Sequence, residues 1–116
     1  MTSYDWLAAV YDTAVFVAFD TETTGLDPAV GRIVEIGAVK FDQRGPIARF
    51  NMLMNPEIPM PEDAGKVNGI TDAMLKDKPL IADVFPDFFA FIGNAVLVAH
   101  NAPFDVNYVN AELKRA

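Results

Sequence analysis

The chain has 116 residues, 52% hydrophobic and 22% charged, enough for one compact core and too few for two ordinary domains. Nine Lys and Arg against sixteen Asp and Glu give a formal charge of -7, which argues against gripping nucleic acid mainly by neutralising phosphates. With no cysteine, disulfides and thiolate metal sites are excluded, and no apolar run approaches the ~18 residues of a membrane span. The expectation is one domain over residues 1–116, soluble, without a leader and cytoplasmic. A phosphate-handling protein this acidic needs metal ions; the plainer reading is acidity that keeps a small domain soluble. In chain order, Trp6, Leu7 and Val10 predict a short lead-in helix, and the apolar run Ala14 to Phe19 a central strand covered on both faces. Ile33, Val34, Ile36 and Val39 begin a second strand. The turn Asp42-Gln43-Arg44-Gly45 leads into a third through Ile47, Phe50, Met52 and Met54, as an antiparallel hairpin.

Pro56, Pro59 and Pro61 exclude regular structure from the next segment, which leads into small helices around Glu62 to Lys66 and Thr71 to Lys76, with Thr71 as N-cap. Val84, Phe85, Phe88, Phe91 and Ile92 then repeat at helical spacing, with Asp83 as the cap, Pro86 in the first turn and Gly93 at the end. Ala95 to Ala99 reads as a short buried strand, and Val106, Val109 and Leu113 mark the apolar face of a last helix. The pattern is mixed α/β.

Residues i and i+2 of a strand project to the same side, so Asp20 and Glu22 at the end of the first strand can face one cation together. Oxygen donors without His or Cys favour a hard ion such as Mg²⁺ or Mn²⁺. The spacing alone is weak, because sixteen acidic residues in 116 produce about two such pairs by chance. The Thr-Thr-Gly turn that follows sharpens it by placing the charges at the rim of a sheet, where ligands bind. The second cluster is His100-Asn101-Ala102-Pro103-Phe104-Asp105. Here the plain readings are a strand-end histidine, an asparagine cap and a first-turn aspartate favoured by the helix dipole.

Four segments occur together: Phe19-Asp20-Thr21-Glu22-Thr23-Thr24-Gly25-Leu26-Asp27-Pro28, Arg32-Ile33-Val34-Glu35-Ile36-Gly37-Ala38, Asn68-Gly69-Ile70-Thr71, and Val98-Ala99-His100-Asn101-Ala102-Pro103-Phe104-Asp105. In this order the chain, from about Val15 onward, resembles the DEDD superfamily of 3′-to-5′ exonucleases of the DEDDh type. Within it, the chain looks most like the proofreading epsilon-type subunits of bacterial DNA polymerase III. The resemblance implies a ribonuclease H-like mixed sheet flanked by helices, with Asp20, Glu22 and Asp105 as catalytic metal ligands for a two-metal site. It also implies release of nucleoside 5′-monophosphates from single-stranded DNA 3′ ends, with DNA polymerase subunits as partners. Backbone around Thr23 and Thr24 would receive the terminal 3′-hydroxyl, Val67 and Asn68 would line the pocket for the terminal bases, and Phe104 would touch base or sugar. Many relatives carry His where this chain has Asn68.

The family's third motif, a histidine followed by an aspartate on a late helix, is absent from the 116 residues. The expectation is therefore a C-terminally truncated domain lacking the last strand and helix of the full fold. Its metal site would be weakened, and it would lack a general base that typically contributes about 10²- to 10⁴-fold in rate. Bare apolar surface would then be covered by a second copy or a complementing chain. Two alternatives remain: a non-catalytic ribonuclease H-like module that binds proteins, and an RNA-trimming exonuclease, which differs in preferring ribose at the 3′ end. The Thr-rich first motif favours DNA.

Overall fold

A computed structural model of the chain describes residues 13–116. The lead-in helix expected around Trp6, Leu7 and Val10 lies outside the described residues. The elements run β1 (Phe16–Thr23), β2 (Ile33–Asp42), β3 (Gly45–Leu53), α1 (Glu62–Asn68), α2 (Asp72–Leu75), α3 (Ile81–Ile92), β4 (Val96–Val98) and α4 (Ala102–Arg115). The strands form one mixed sheet in the order β3-β2-β1-β4. The pairs β1–β2 and β2–β3 are antiparallel and β1–β4 is parallel. The expected hairpin is therefore present, and Thr71 caps α2 by accepting a hydrogen bond from the Met74 N–H.

Strand β1 sits inside the sheet, as expected, but its burial alternates instead of being complete. Val17, Phe19 and Thr21 are buried, Asp20 is exposed, and Ala18 and Glu22 are half-buried. This corrects the expectation of a strand covered on both faces. Among the described residues, α3 and α4 pack on the side of β1 that carries Val17 and Phe19, through Val84, Phe85, Phe88, Ile92 and Tyr108, while Asp20 and Glu22 project to the other side. A second, smaller cluster of Val34, Ile70 and Leu75 anchors α2 against the start of β2.

Helix α3 begins at Ile81, not after an Asp83 cap, so Pro86 lies inside it. The extra residues bury Ile81 in line with Val84, Phe85, Phe88 and Ile92. The amide hydrogen that Pro86 lacks falls on the exposed side of the helix, beside solvent-facing Ala82. Gly93 ends the helix with φ 55°, a conformation that a side chain would resist, and its N–H reaches the Phe89 carbonyl at 3.0 Å.

Strand β4 also differs from expectation: it covers Val96–Val98, and all three residues are exposed. It pairs with β1 on one side, and among the described residues nothing occupies its other edge. Leu97, Phe89, Val106 and Leu113 border an apolar groove of about 200 Å³ beside it.

The largest correction concerns α4. Of its expected core face only Val109 packs against the core, half-buried, while Val106 and Leu113 are more than two-fifths exposed. The buried face instead carries Asp105, Tyr108 and Glu112, three polar residues one turn apart. The surface they meet is itself polar. Glu112, with 0% exposure, accepts from Arg32 Nε at 2.7 Å, from Arg115 at 2.6 Å and from the Ile33 N–H at 3.3 Å. Breaking a buried ion pair leaves a charge without its partner and typically costs 3–5 kcal/mol. Because both arginines keep some contact with water, Glu112→Ala is expected at the low end, about 3 kcal/mol. Urea unfolding checks this, and a loss no larger than that of a surface glutamate such as Glu62→Ala would contradict it.

Candidate functional site

Strand alternation brings Asp20 and Glu22 to one side of β1, while Thr21 between them points into the core. The antiparallel register sets Asp20 opposite Gly37 and Glu22 opposite Glu35. Directly opposed residues share a face, so Glu35 adds a third carboxylate beside the pair. Burial raises the Asp20 carboxyl above its ordinary pKa and the Asp105 charge adds to this, against a hydrogen bond from the Thr21 backbone and the field of His100. Glu22 is raised by burial, then by Asp20 and Glu35, with an Asn68 hydrogen bond opposing. Like charges are thus held together on a partly desolvated rim, an arrangement that a hard cation relieves.

Asp105 reaches the same region from the first turn of α4. Its Oδ1 accepts from the Thr21 N–H at 3.1 Å and from the Thr21 hydroxyl at 2.6 Å. Parallel strand β4 pairs with β1 only as far as Ala18, so the β1 edge beyond it is free for the helix to use. Asn101 occupies the N-cap position of α4 without a side-chain cap bond. Among the described residues, no three His, Asp or Glu side chains converge into a preassembled metal cluster. The all-oxygen set of Asp20 and Glu22 nonetheless suits Mg²⁺ or Mn²⁺, ions that are commonly held by one or two carboxylates with water completing the shell.

Beside the carboxylates lies an apolar pocket of about 510 Å³. Thr23, Thr24, Val67, Asn68 and Phe104, each expected at such a site, all line it. A register shift between Glu22 and Thr23 turns the chain out of the sheet to form one wall. Thr24 faces inward and closes that loop: its N–H reaches the Arg32 carbonyl and its hydroxyl accepts from the Arg32 N–H, both at 2.9 Å. Asn68 accepts from the Ile70 N–H at 3.0 Å and donates to the Thr23 carbonyl at 3.4 Å, so its amide braces the wall.

Sequence reasoning missed three residues here. Leu26 lines the pocket and is 86% exposed, and across from it Val67 is 87% exposed. An isolated apolar residue in a Gly-Pro turn was the available signal for Leu26. Glu35 enters only through strand register, and Tyr108 only through the packing of α4.

The sequence model of a family described as Exonuclease, the RNase T type, matches residues 17–116. The DNA polymerase III subunit epsilon of Treponema pallidum is 54% identical over 110 residues, covering 95% of this chain and 51% of that protein. Its counterpart in Rickettsia felis is 48% identical over 99 residues, covering 84% of this chain and 43% of the relative. The chain therefore spans about half the length of these curated relatives. Among solved structures, Exonuclease X in complex with 5′ overhanging duplex DNA is 38% identical with a TM-score of 0.71, over 80% of this chain and 52% of that one. Exonuclease I, at 20% identity and TM-score 0.80, covers 88% of this chain and 25% of its own; it supports the ribonuclease H-like α/β fold.

The raised carboxylates have a signed consequence. A carboxyl whose folded pKa exceeds its unfolded value favours the folded state most at low pH, and that contribution is lost as pH rises through the folded pKa. Asp20→Asn removes one member of the repelling set, so the metal-free variant should melt higher than the parent at pH 7 and match it near pH 3. Scanning calorimetry without metal measures this, and a variant that melts lower at pH 7 would contradict the repulsion.

Proposed function

Because the chain belongs to the RNase T-type exonuclease family, we propose that it is a single exonuclease domain that shortens single-stranded DNA from the 3′ end and releases nucleoside 5′-monophosphates. The observation that carries this reading is that Glu22, which shares a side of β1 with Asp20, lines an apolar pocket one wall of which is the turn leaving the same strand. Reaction centre and nucleotide-sized cavity are thereby held together by one β-strand.

In this reading Asp20 and Glu22 hold the divalent cations, with Asp105 completing the acidic site. Bound cations would stabilise charge on the phosphoryl oxygens and lower the pKa of the attacking water. The residues of the chain do the positioning. Thr23 and Thr24 form the wall that receives the terminal sugar and its 3′-hydroxyl. Leu26, Val67 and Phe104 present apolar surface to the terminal bases, where base stacking is worth about 1–3 kcal/mol per base. Asn68 keeps the wall upright through Thr23. An acidic chain can hold nucleic acid this way because cations at the carboxylates, not lysines, meet the phosphate. The names of the relatives favour DNA as substrate and a place beside DNA polymerase subunits. The third motif is not among these 116 residues, so the rate expected of them alone is slow.

Release of mononucleotides from a 3′-labelled single-stranded oligonucleotide, dependent on Mg²⁺ or Mn²⁺, is the direct test. Asp20→Ala should lower it by at least about 10²-fold. Release that persists unchanged in that variant would sink the proposal, and faster trimming of RNA than DNA would redirect it to ribose ends.

The edge of β4, uncovered among the described residues, and its apolar groove favour a second reading alongside the first, association with a second copy. Sedimentation equilibrium should then show a dimer that Leu97→Lys weakens. A monomer at every concentration would rule it out.

A further inference from the structure

The wall of the pocket is gripped from behind. Tyr108, with 0% exposure, donates its hydroxyl to the Gly25 carbonyl. The Thr23 hydroxyl donates to the same carbonyl at 2.7 Å. On its other side Gly25 is open, with nothing within 4 Å of where a Cβ would stand. The carbonyl is thus held by the core while the residue faces the cavity.

Room for this contact comes from Gly31. A Cβ there would overlap the Tyr108 hydroxyl, approach its ring carbon at 3.2 Å and meet the Asp27 carbonyl oxygen at 3.0 Å. The far end of the loop is held by the same helix. Arg115, oriented by Glu112, donates to the Gly31 carbonyl at 3.0 Å and to the Pro28 carbonyl. One turn before Tyr108, Asp105 holds Thr21. The loop between β1 and β2 therefore touches α4 along a single face, and that face also carries the acidic group of the site.

We propose that Tyr108 is a positioning residue for the nucleotide pocket: seated in the space left by Gly31, it latches the Thr23–Leu26 wall to α4 and keeps that wall in register with Asp105. Tyr108 contacts no substrate; it acts through Gly25. The inference rests on the nucleotide-pocket reading of Proposed function, and the test separates the two.

The test titrates thymidine 5′-monophosphate into the 116-residue chain in the presence of Mn²⁺ by calorimetry, with Mn²⁺ alone titrated in parallel. Tyr108→Phe keeps the ring in the core and removes one hydrogen bond, so nucleotide binding should weaken roughly three- to tenfold. Mn²⁺ affinity should be unchanged, because Asp20 and Glu22 are carried by β1 and Asp105 keeps its two bonds from Thr21 in both variants. Gly31→Ala breaks the latch from the loop side and should reproduce the loss. The Gly31→Ala/Tyr108→Phe double variant should be no weaker than the worse single variant, since both act on one contact. Nucleotide affinity equal to the parent in Tyr108→Phe overturns the latch, as do additive losses in the double variant or equal losses of Mn²⁺ and nucleotide. A parent chain that binds Mn²⁺ but not the nucleotide overturns the pocket reading itself.

Discussion

Helix α4 meets the sheet through two buried carboxylates, and the site depends on how they are satisfied. A carboxylate taken from water costs several kcal/mol unless donors replace the lost solvation. Asp105 receives two donors from Thr21, and Glu112 receives donors from Arg32, Arg115 and the Ile33 backbone. No buried side-chain polar atom is left without a partner among the described residues. Such bonds tolerate little sliding, so α4 is fixed in register along the β1–β2 edge more strictly than an apolar stripe would fix it. An apolar face can repack with modest shifts; a carboxylate that loses both donors cannot.

That register determines the geometry of the rim. Thr21 faces the core because it alternates with Asp20 and Glu22, and by holding Asp105 it ties the first-turn carboxylate of α4 to the strand that carries the other two. The electrostatic consequence opposes stability. Burial and mutual repulsion raise both β1 carboxyls, and Glu35 enters the same field from β2. The core pays for this locally unfavourable charge, with Phe19, Phe50, Phe88 and Phe91 packed in tilted ring contacts beneath the sheet. Carboxylates perturbed by burial and by like charges cluster at functional sites.

One wall of the pocket continues the strand that carries the carboxylates, while its other walls come from α1 and the first turn of α4. β1 ends in a register shift, the loop closes on itself through Thr24 and Arg32, and α1 supplies Val67 and Asn68 opposite. Apolar side chains as exposed as Leu26 and Val67 are ordinary singly; two facing each other across a cavity beside a carboxylate pair are not.

Much of this was legible in the sequence. Strand alternation is a property of the backbone, so Asp20 and Glu22 share a side of β1 whatever surrounds them. The turn Asp42 to Gly45, the cap at Thr71 and the stop at Gly93 follow from local chemistry in the same way. Thr23 and Thr24 follow the carboxylates directly in the chain, whereas Val67, Asn68 and Phe104, distant in sequence, were pointed to by the family resemblance alone. Tertiary structure alone decided which face of α4 is buried. Helical spacing made Val106, Val109 and Leu113 the plausible core, and the helix instead buried Asp105, Tyr108 and Glu112 because the surface awaiting it offered Thr21, Gly25 and Arg32. The same holds for β4, apolar in sequence yet exposed at the sheet edge, and for Glu35, aligned with Glu22 only by strand register. Periodicity reports where apolar groups recur along a chain. It does not report what stands opposite, and for buried polar groups the partner decides.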